Sequence, residues 1–379
     1  MIYFDNAATT YPKPKEVYNA LDFGNKNFAF NAGRGHYSLS QKTFEMIQST
    51  RVKLAKLINA NEKDVIFTSS ATEALNLIIY GLKISEGDTI YISPFEHNSI
   101  IRPLYNIKKF INFNIKILPF NKKTWEPDLD NIENEFAIYP PKVIFLSHIS
   151  NVTGYILPYE QLFSLGKRFR STNVLDAAQS LGVVNPQDTN NIDYLVFAGH
   201  KSLYASFGVA GFIALNNSRE LQIIKAGGTG SDSLNHFMPN DGTFNQFEAG
   251  SQNSVAIYGL NISLDWLQAN NVALHEKELT LYLISELTKI DKVSVYIPQD
   301  FKDKIFGIVS INVEGYDPND VGVILNDEFN ICVRIGFHCS PFVHEFLNTI
   351  DKNGTIRISL SYFNTRSEID TLISALKTL

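Results

Sequence analysis

Between residues 65 and 176, short apolar runs alternate with longer stretches whose apolar positions recur every three or four residues. The runs at 65–68, 89–93, 115–120, 143–147 and 174–176 have strand length. Leu75, Ile78, Ile79 and Leu82 fall on one face of a helix predicted over 71–82. Further helices are predicted over 98–109, 129–135 and 159–170. Strand-helix alternation of this kind predicts an α/β fold with a mostly parallel sheet, helices on both faces, and ligands at the carboxyl ends of the strands. Upstream, residues 1–14 read as extended chain, a helix starts near Glu16, 28–40 is a Gly- and Asn-rich loop, and 41–58 is a helix.

Downstream the pattern changes. Strands predicted at 194–197 and 209–215 flank a loop that holds Lys201. Residues 227–250 form a long loop rich in Gly, Ser and Asn, a length that usually signals function. A helical stretch over 256–287, broken at Asn270-Asn271, leads to a strand at 308–313 and a helix at 318–328. Strands at 332–334 and 355–359 and a last helix at 367–376 complete a second, smaller α/β unit. The expected division is a large domain over 11–255 and a small one over 256–379 together with 1–10.

Composition narrows the class. A chain of 379 residues with 44% hydrophobic positions can bury two sizeable cores. The net charge of −6 has no basic stripe within it, which argues against nucleic acid as the partner. Two cysteines, Cys332 and Cys339, do not make a disulfide scaffold and favour a cytosolic thiol reading. The start MIYFDNAATT lacks the pattern of a signal peptide, and no apolar run approaches a membrane span. The expectation is a cytoplasmic enzyme that engages neither membrane nor nucleic acid, with no metal site.

Candidate chemistry centres on FAGHK at 197–201 and LDAAQS at 175–180. A lysine can hold pyridoxal phosphate through a Schiff base, which makes the ring an electron sink. Asp176, ending a predicted strand, suits the ring nitrogen, because a neighbouring carboxylate favours its protonated form. Gln179 suits the phenolic oxygen. An isolated His-Lys pair, or an isolated strand-end Asp, is usually ordinary surface chemistry; the conjunction gives these residues weight.

Ser69 to Glu73 lie at a strand-helix junction, where small residues, the hydroxyl of Thr72 and the helix dipole can take a phosphate. The same residues also read as a plain Ser N-cap with a capping-box-like Glu. Ala71 and Thr72 are the phosphate candidates there, with His200 and Ser251 as further ones. His97 in FEHNS can stack on the ring. Asn151 in SNVTG and Arg357 in TIRIS are candidates for an amino-acid carboxylate, which prefers a guanidinium fork, and Arg334 can support them. Arg357 reads alternatively as a salt bridge of the small domain. Cys339 in VRIGFHCSPF has His338 and Arg334 nearby, cations that favour a nucleophilic thiolate. Cys332, inside an apolar run, reads as a spectator.

DNAATT, FTSSATEALNL, EHNS, SHISNVTG, LDAAQS, GHK, FEAGSQN and RIGFHCSP occur in order from residue 4 to about 366. Together they resemble the class V aminotransferase family, within the pyridoxal-phosphate-dependent transferases of fold type I, and its cysteine desulfurase and selenocysteine lyase branch. The resemblance implies a large domain with a seven-stranded-type sheet and a smaller α/β C-terminal domain. It implies Lys201 as the Schiff-base lysine, Asp176 at the ring nitrogen, Gln179 at the phenolic oxygen and His97 stacked on the ring. Ala71, Thr72 and His200 would hold the phosphate, with Ser251 reaching the phosphate of a second subunit in a homodimer with shared active sites. Asn151 would contact cofactor and substrate, and Arg357, aided by Arg334, would grip the substrate carboxylate.

Cys339 would take sulfur from L-cysteine, or selenium from selenocysteine, leaving alanine and a persulfide for an acceptor protein. The short RxGxHC segment resembles the branch with a short cysteine loop. Ala198 stands where the family usually carries Ser or Thr, Tyr37 where it often carries His, and SLYASFGVAG keeps only part of the family's glycines. Two rival readings remain: a class V transaminase or lyase in which Cys339 is incidental, and a binding or scaffold protein that kept the fold.

Overall fold

A computed structural model describes residues 1–32, 35–215, 221–229, 234, 236–239 and 246–379. Seven strands form its central sheet. In spatial order they are Val65–Thr68, Ala210–Ala214, Tyr194–Ala198, Thr172–Asp176, Pro141–Ser147, Thr89–Ile92 and Asn114–Ile117. All neighbours run parallel except Ala210–Ala214, which is antiparallel to both strands beside it. The inner strands read as continuous apolar runs because both faces are covered: Thr89–Ile92 and Tyr194–Ala198 are buried at every position.

One face packs Leu75, Ile78 and Ile79 of the helix Ala71–Gly81 and Ile100 and Leu104 of the helix Asn98–Ile107. The opposite face joins a larger core that continues into the C-terminal unit. There, Arg334–Gly336, Thr355–Ser359, Ile308–Val313 and Val293–Tyr296 form an antiparallel sheet in that order.

Several expectations need correction. The strand expected at 332–334 is two strands: Ile331–Cys332 pairs in parallel with the N-terminal Ile2–Tyr3, and Arg334–Gly336 pairs with Thr355–Ser359. Val293–Tyr296 and the short helix Pro341–Leu347 were not expected. The helix Ser38–Lys56 begins inside the expected loop 28–40, of which residues 33–34 lie outside the described residues. Of the expected loop 227–250, residues 230–233, 235 and 240–245 also lie outside them. The helical stretch breaks where expected, into Ser254–Ala269 and Val272–Leu287. Among the described residues no helix is long and apolar enough to cross a membrane.

The topology places chemistry at one edge. Asp176 and Ser147 end adjacent parallel strands in register, and Gly199-His200-Lys201 follow the next strand. The N-terminal segment closes the edge from the other side: Asn6 donates to the Ser359 carbonyl at 2.9 Å and the Ala7 amide donates to Ser359 Oγ at 2.9 Å.

Candidate active site

The strand ends and the C-terminal unit enclose a cavity of about 240 Å3. Ala71, Thr72, His97, Asn151, Asp176, Gln179, His200, Lys201, Arg334 and Arg357, ten of the residues singled out from the sequence, line it. Burial lowers the Lys201 amine to about 8, against the attraction of Asp176. An amine in that range is partly neutral near pH 7 and so able to attack a carbonyl. Burial raises the Asp176 carboxyl, opposed by the Ala178 amide, which donates to its Oδ1 at 3.0 Å, and by Lys201. Gln179 is anchored by donation from its amide to the Ala7 carbonyl at 2.8 Å.

His97 caps the helix Asn98–Ile107. Its Nδ1 accepts from the Ser99 amide at 3.1 Å and lies 2.8 Å from Ser99 Oγ. A ring nitrogen that accepts a backbone N–H carries no proton, so the neutral ring has its proton on Nε2. Burial, then repulsion from Lys201, Arg334 and Arg357, lowers its pKa to about 3. At the opposite side, the Ser70 hydroxyl caps the helix Ala71–Gly81 and accepts from the Glu73 amide at 3.1 Å, while Glu73 takes both donors of Ser69. The plain capping reading therefore holds for Ser69, Ser70 and Glu73, and the helix N-terminus at Ala71 and Thr72 still lines the cavity.

Arg357 and Arg334 are register partners on neighbouring strands. Arg357 is buried, donating to Asp5 Oδ1 at 2.5 Å and to the Asn151 carbonyl at 2.9 Å. The salt-bridge reading and the cavity reading of Arg357 are thus both satisfied by one side chain. Arg334 Nη2 donates to Cys339 Sγ at 3.3 Å. Cys339 itself lines a neighbouring open groove of about 640 Å3, shared with Thr72, His97, Ser99 and Arg102. Its loop is constrained: His338 and Cys339 are both left-handed, at φ 48° and 60°, and each such non-glycine residue costs about 1–2 kcal/mol.

Asn151 lines the cavity, but its side-chain amide is taken by that loop. It donates to the His338 carbonyl at 2.7 Å and accepts from Ser340 Oγ at 2.7 Å. Ser251 is not in the cavity; it is exposed, beside Glu248, Gln252 and Asn253.

Sequence reasoning overlooked Lys13, Glu96 and Asp5. Among the described residues Lys13 has no acidic partner; it donates to the His200 carbonyl at 2.7 Å and Thr10 Oγ1 at 2.5 Å, and burial lowers it to about 7. Glu96 is buried and, pushed up by burial to about 8, receives the Ser147 amide at 2.8 Å and the Ser93 hydroxyl at 2.5 Å. Glu96 and Asp5 stand inside the quoted motifs EHNS and DNAATT or beside them, so adjacency was the only available signal. Lys13 had none.

Lys201, a buried amine beside the buried carboxylate of Asp176 at the strand ends of an α/β sheet, defines an enzyme built to hold an aldehyde cofactor. The chain matches the aminotransferase class-V family over residues 2–372 and belongs to it. It is 30% identical over 380 residues, 98% of this chain and 92% of the relative, to a probable cysteine desulfurase of Methanothermobacter thermautotrophicus. It is 31% identical over 389 residues, 100% of this chain and 94% of the relative, to a probable cysteine desulfurase of Pyrococcus abyssi. Among solved structures, the apo cysteine desulfurase of Thermococcus onnurineus NA1 superimposes with a TM-score of 0.89 at 28% identity, covering 100% of this chain and 94% of that one. The cysteine desulfurase CsdA of Escherichia coli, in an S-sulfonic acid form, gives 0.82 at 25%, covering 99% and 94%.

Pyridoxal phosphate is the cofactor of this family, and the residues fit it. At the cavity wall the N-terminus of the helix Ala71–Gly81, with Thr72 and His200, offers donors to an anionic group, and Lys201 and Asp176 line the same cavity. Ala198 brings no hydroxyl to that wall.

Proposed function

We propose that this enzyme is a cysteine desulfurase, converting L-cysteine, or L-selenocysteine, to L-alanine and leaving the chalcogen on Cys339. The observation that carries the reading is Cys339 itself: a free, half-buried thiol, 3.3 Å from Arg334, on a loop tied to walls of the Lys201 cavity. Bound at Lys201, pyridoxal phosphate supplies an electron sink for charge developing on the substrate carbons. Asp176 would keep the ring nitrogen protonated, Gln179 would serve the phenolic oxygen and neutral His97 the ring face. Ala71, Thr72 and His200 would hold the phosphate. Arg357, oriented by Asp5, takes the substrate carboxylate, with Arg334 and Asn151 beside it. The Lys201 amine would hold and move the proton at the substrate α-carbon. The Cys339 thiolate then forms a bond to the substrate sulfur as the Cβ–S bond breaks. The electron pair goes to Cβ, which takes up a proton, balancing the proton lost by the thiol.

Ser251 lies outside its own cavity, which supports a homodimer in which it serves the partner's phosphate. The open groove at Cys339 supports onward transfer of sulfur to an acceptor protein in the cytoplasm. The test is alanine and sulfide formation from L-cysteine by cofactor-loaded enzyme. Lys201→Ala is expected to lose both products along with the visible absorbance of bound cofactor, and Cys339→Ala to lose alanine formation. Undiminished alanine from Cys339→Ala would instead support a class V transaminase or lyase in which Cys339 is incidental.

A further inference from the structure

Two of the residues proposed to receive the substrate carboxylate, Asn151 and Arg334, also hold the cysteine loop. Asn151 grips the loop on both sides of Cys339, at the His338 carbonyl and the Ser340 hydroxyl. Arg334 holds the thiol itself. A third tie, from the Asn98 amide to the Cys339 carbonyl at 2.7 Å, joins the loop to the helix that His97 caps. These ties keep two consecutive left-handed residues in place, a conformation that persists only where its surroundings impose it. They also leave the thiol in the open groove and off the wall of the Lys201 cavity, where the substrate sulfur must lie. Further along, His338 Nε2 stays on the Thr355 carbonyl at 3.1 Å and on Thr355 Oγ1 at 3.0 Å, a fixed point about which the tip can swing.

We propose that Asn151, Ser340 and Arg334 form a latch on the cysteine loop, and that a substrate carboxylate opens it by drawing the Asn151 and Arg334 side chains off the loop. The Asn151 amide is held by the loop at both ends, its NH2 on the His338 carbonyl and its oxygen under Ser340 Oγ, so turning the amide toward a carboxylate gives up its hold on His338. Turning it toward substrate also withdraws the acceptor of Ser340. Arg334, drawn to the carboxylate, releases Sγ. The strained turn then relaxes and the thiol moves only when there is a sulfur to attack, which protects it from side reactions in the resting enzyme. Ser340 is a positioning residue in this scheme, acting through Asn151 and Cys339. The scheme rests on the carboxylate reading of Asn151, Arg334 and Arg357.

The test is the rate of Cys339 alkylation by iodoacetamide in cofactor-loaded enzyme, followed by peptide mass, with Cys332 in the same sample as reference. Saturating L-alanine carries the carboxylate without a sulfur. It is expected to raise Cys339 alkylation about tenfold, the change that follows from losing one to two buried hydrogen bonds. Ser340→Ala is expected to raise the resting rate severalfold and to blunt the effect of L-alanine, and Ser340→Thr to keep the wild-type rate. Cys332 alkylation stays unchanged throughout. The latch is overturned if L-alanine perturbs the cofactor absorbance, and so is bound, while Cys339 alkylates at its resting rate or slower. It is equally overturned if Ser340→Ala alkylates like wild type. Failure of the desulfurase reading shows separately, as absent alanine formation from L-cysteine.

Discussion

Lys201 carries the chemistry of this protein because of where its amine sits. Burial disfavours the charged form and brings it from 10.5 to about 8, and Asp176 limits the fall. The neutral amine is the form that attacks the aldehyde. Reconstitution of cofactor-free enzyme with pyridoxal phosphate is therefore expected to accelerate as pH rises, with a midpoint near 8, read from the growth of visible absorbance in stopped flow. A midpoint near 10.5 would mean that the site does not desolvate the amine. The backbone before Lys201 is pinned as firmly as its side chain is tuned. The His200 carbonyl receives the Thr10 amide, the Thr9 hydroxyl at 3.0 Å and the Lys13 ammonium.

At the scale of elements, the short junctions after strands decide the site, and one glycine shows how tightly they pack. Gly154 closes the turn after Asn151 at φ 72°, and a Cβ there would stand 2.7 Å from the Phe306 carbonyl oxygen in the C-terminal unit. Gly154→Ala combines a left-handed backbone with a clash against main chain that has no rotamer to yield. The expected loss is about 3 kcal/mol, measured by urea unfolding, with Asn151 and its hold on the cysteine loop displaced as well.

The sequence was most legible at these same junctions. Buried strands such as Pro141–Ser147 announce themselves as apolar runs, and Ser147, which ends this one, lines the cavity. Legibility failed where an element is too short to show a period, as in Ile331–Cys332 and Pro341–Leu347. It failed again for contacts between residues far apart in the chain. Nothing in SNVTG indicates that Asn151 spends both ends of its amide on a loop 187 to 189 residues away.

At the scale of the whole molecule, we propose that the chain divides into residues 11–255 and 256–379 with 1–10. The N-terminal strand adds to Ile331–Cys332, and Asp5 pairs with Arg357, so the first residues travel with the last. The whole fold also sets its response to pH. Five histidines are held neutral: burial lowers His97 and His200 to about 3 and His148 and His344 to about 4, and drives His338 well down. Their folded values lie below the unfolded value of 6.5. As pH falls below 6.5 the unfolded chain takes up protons that the folded one refuses, and stability is lost. Two buried carboxyls, Glu96 and Glu276, are raised to about 8 and act in the opposite sense, their contribution fading as pH rises from about 4.5 through 8.

Between pH 4.5 and 6.5 five histidines outnumber two carboxyls, and the expected net slope approaches about 4 kcal/mol per pH unit in the middle of that range. From 6.5 to 8 the two fading carboxyls are offset by Lys13 and Lys201, whose folded values of about 7 and about 8 make deprotonation favour the fold, and by the last of the histidine protonation in the unfolded chain. The melting temperature should thus fall steeply from pH 6.5 to 5 and change little from 6.5 to 8. His148, hydrogen-bonded to Ser180 at 2.8 Å and absent from the cavity wall, isolates one term. His148→Gln removes one titrating group and should make the acid limb shallower without altering the plateau. A melting temperature that holds or rises between pH 6.5 and 5 would mean that these imidazoles accept protons in the folded protein, and that the core around them admits charge.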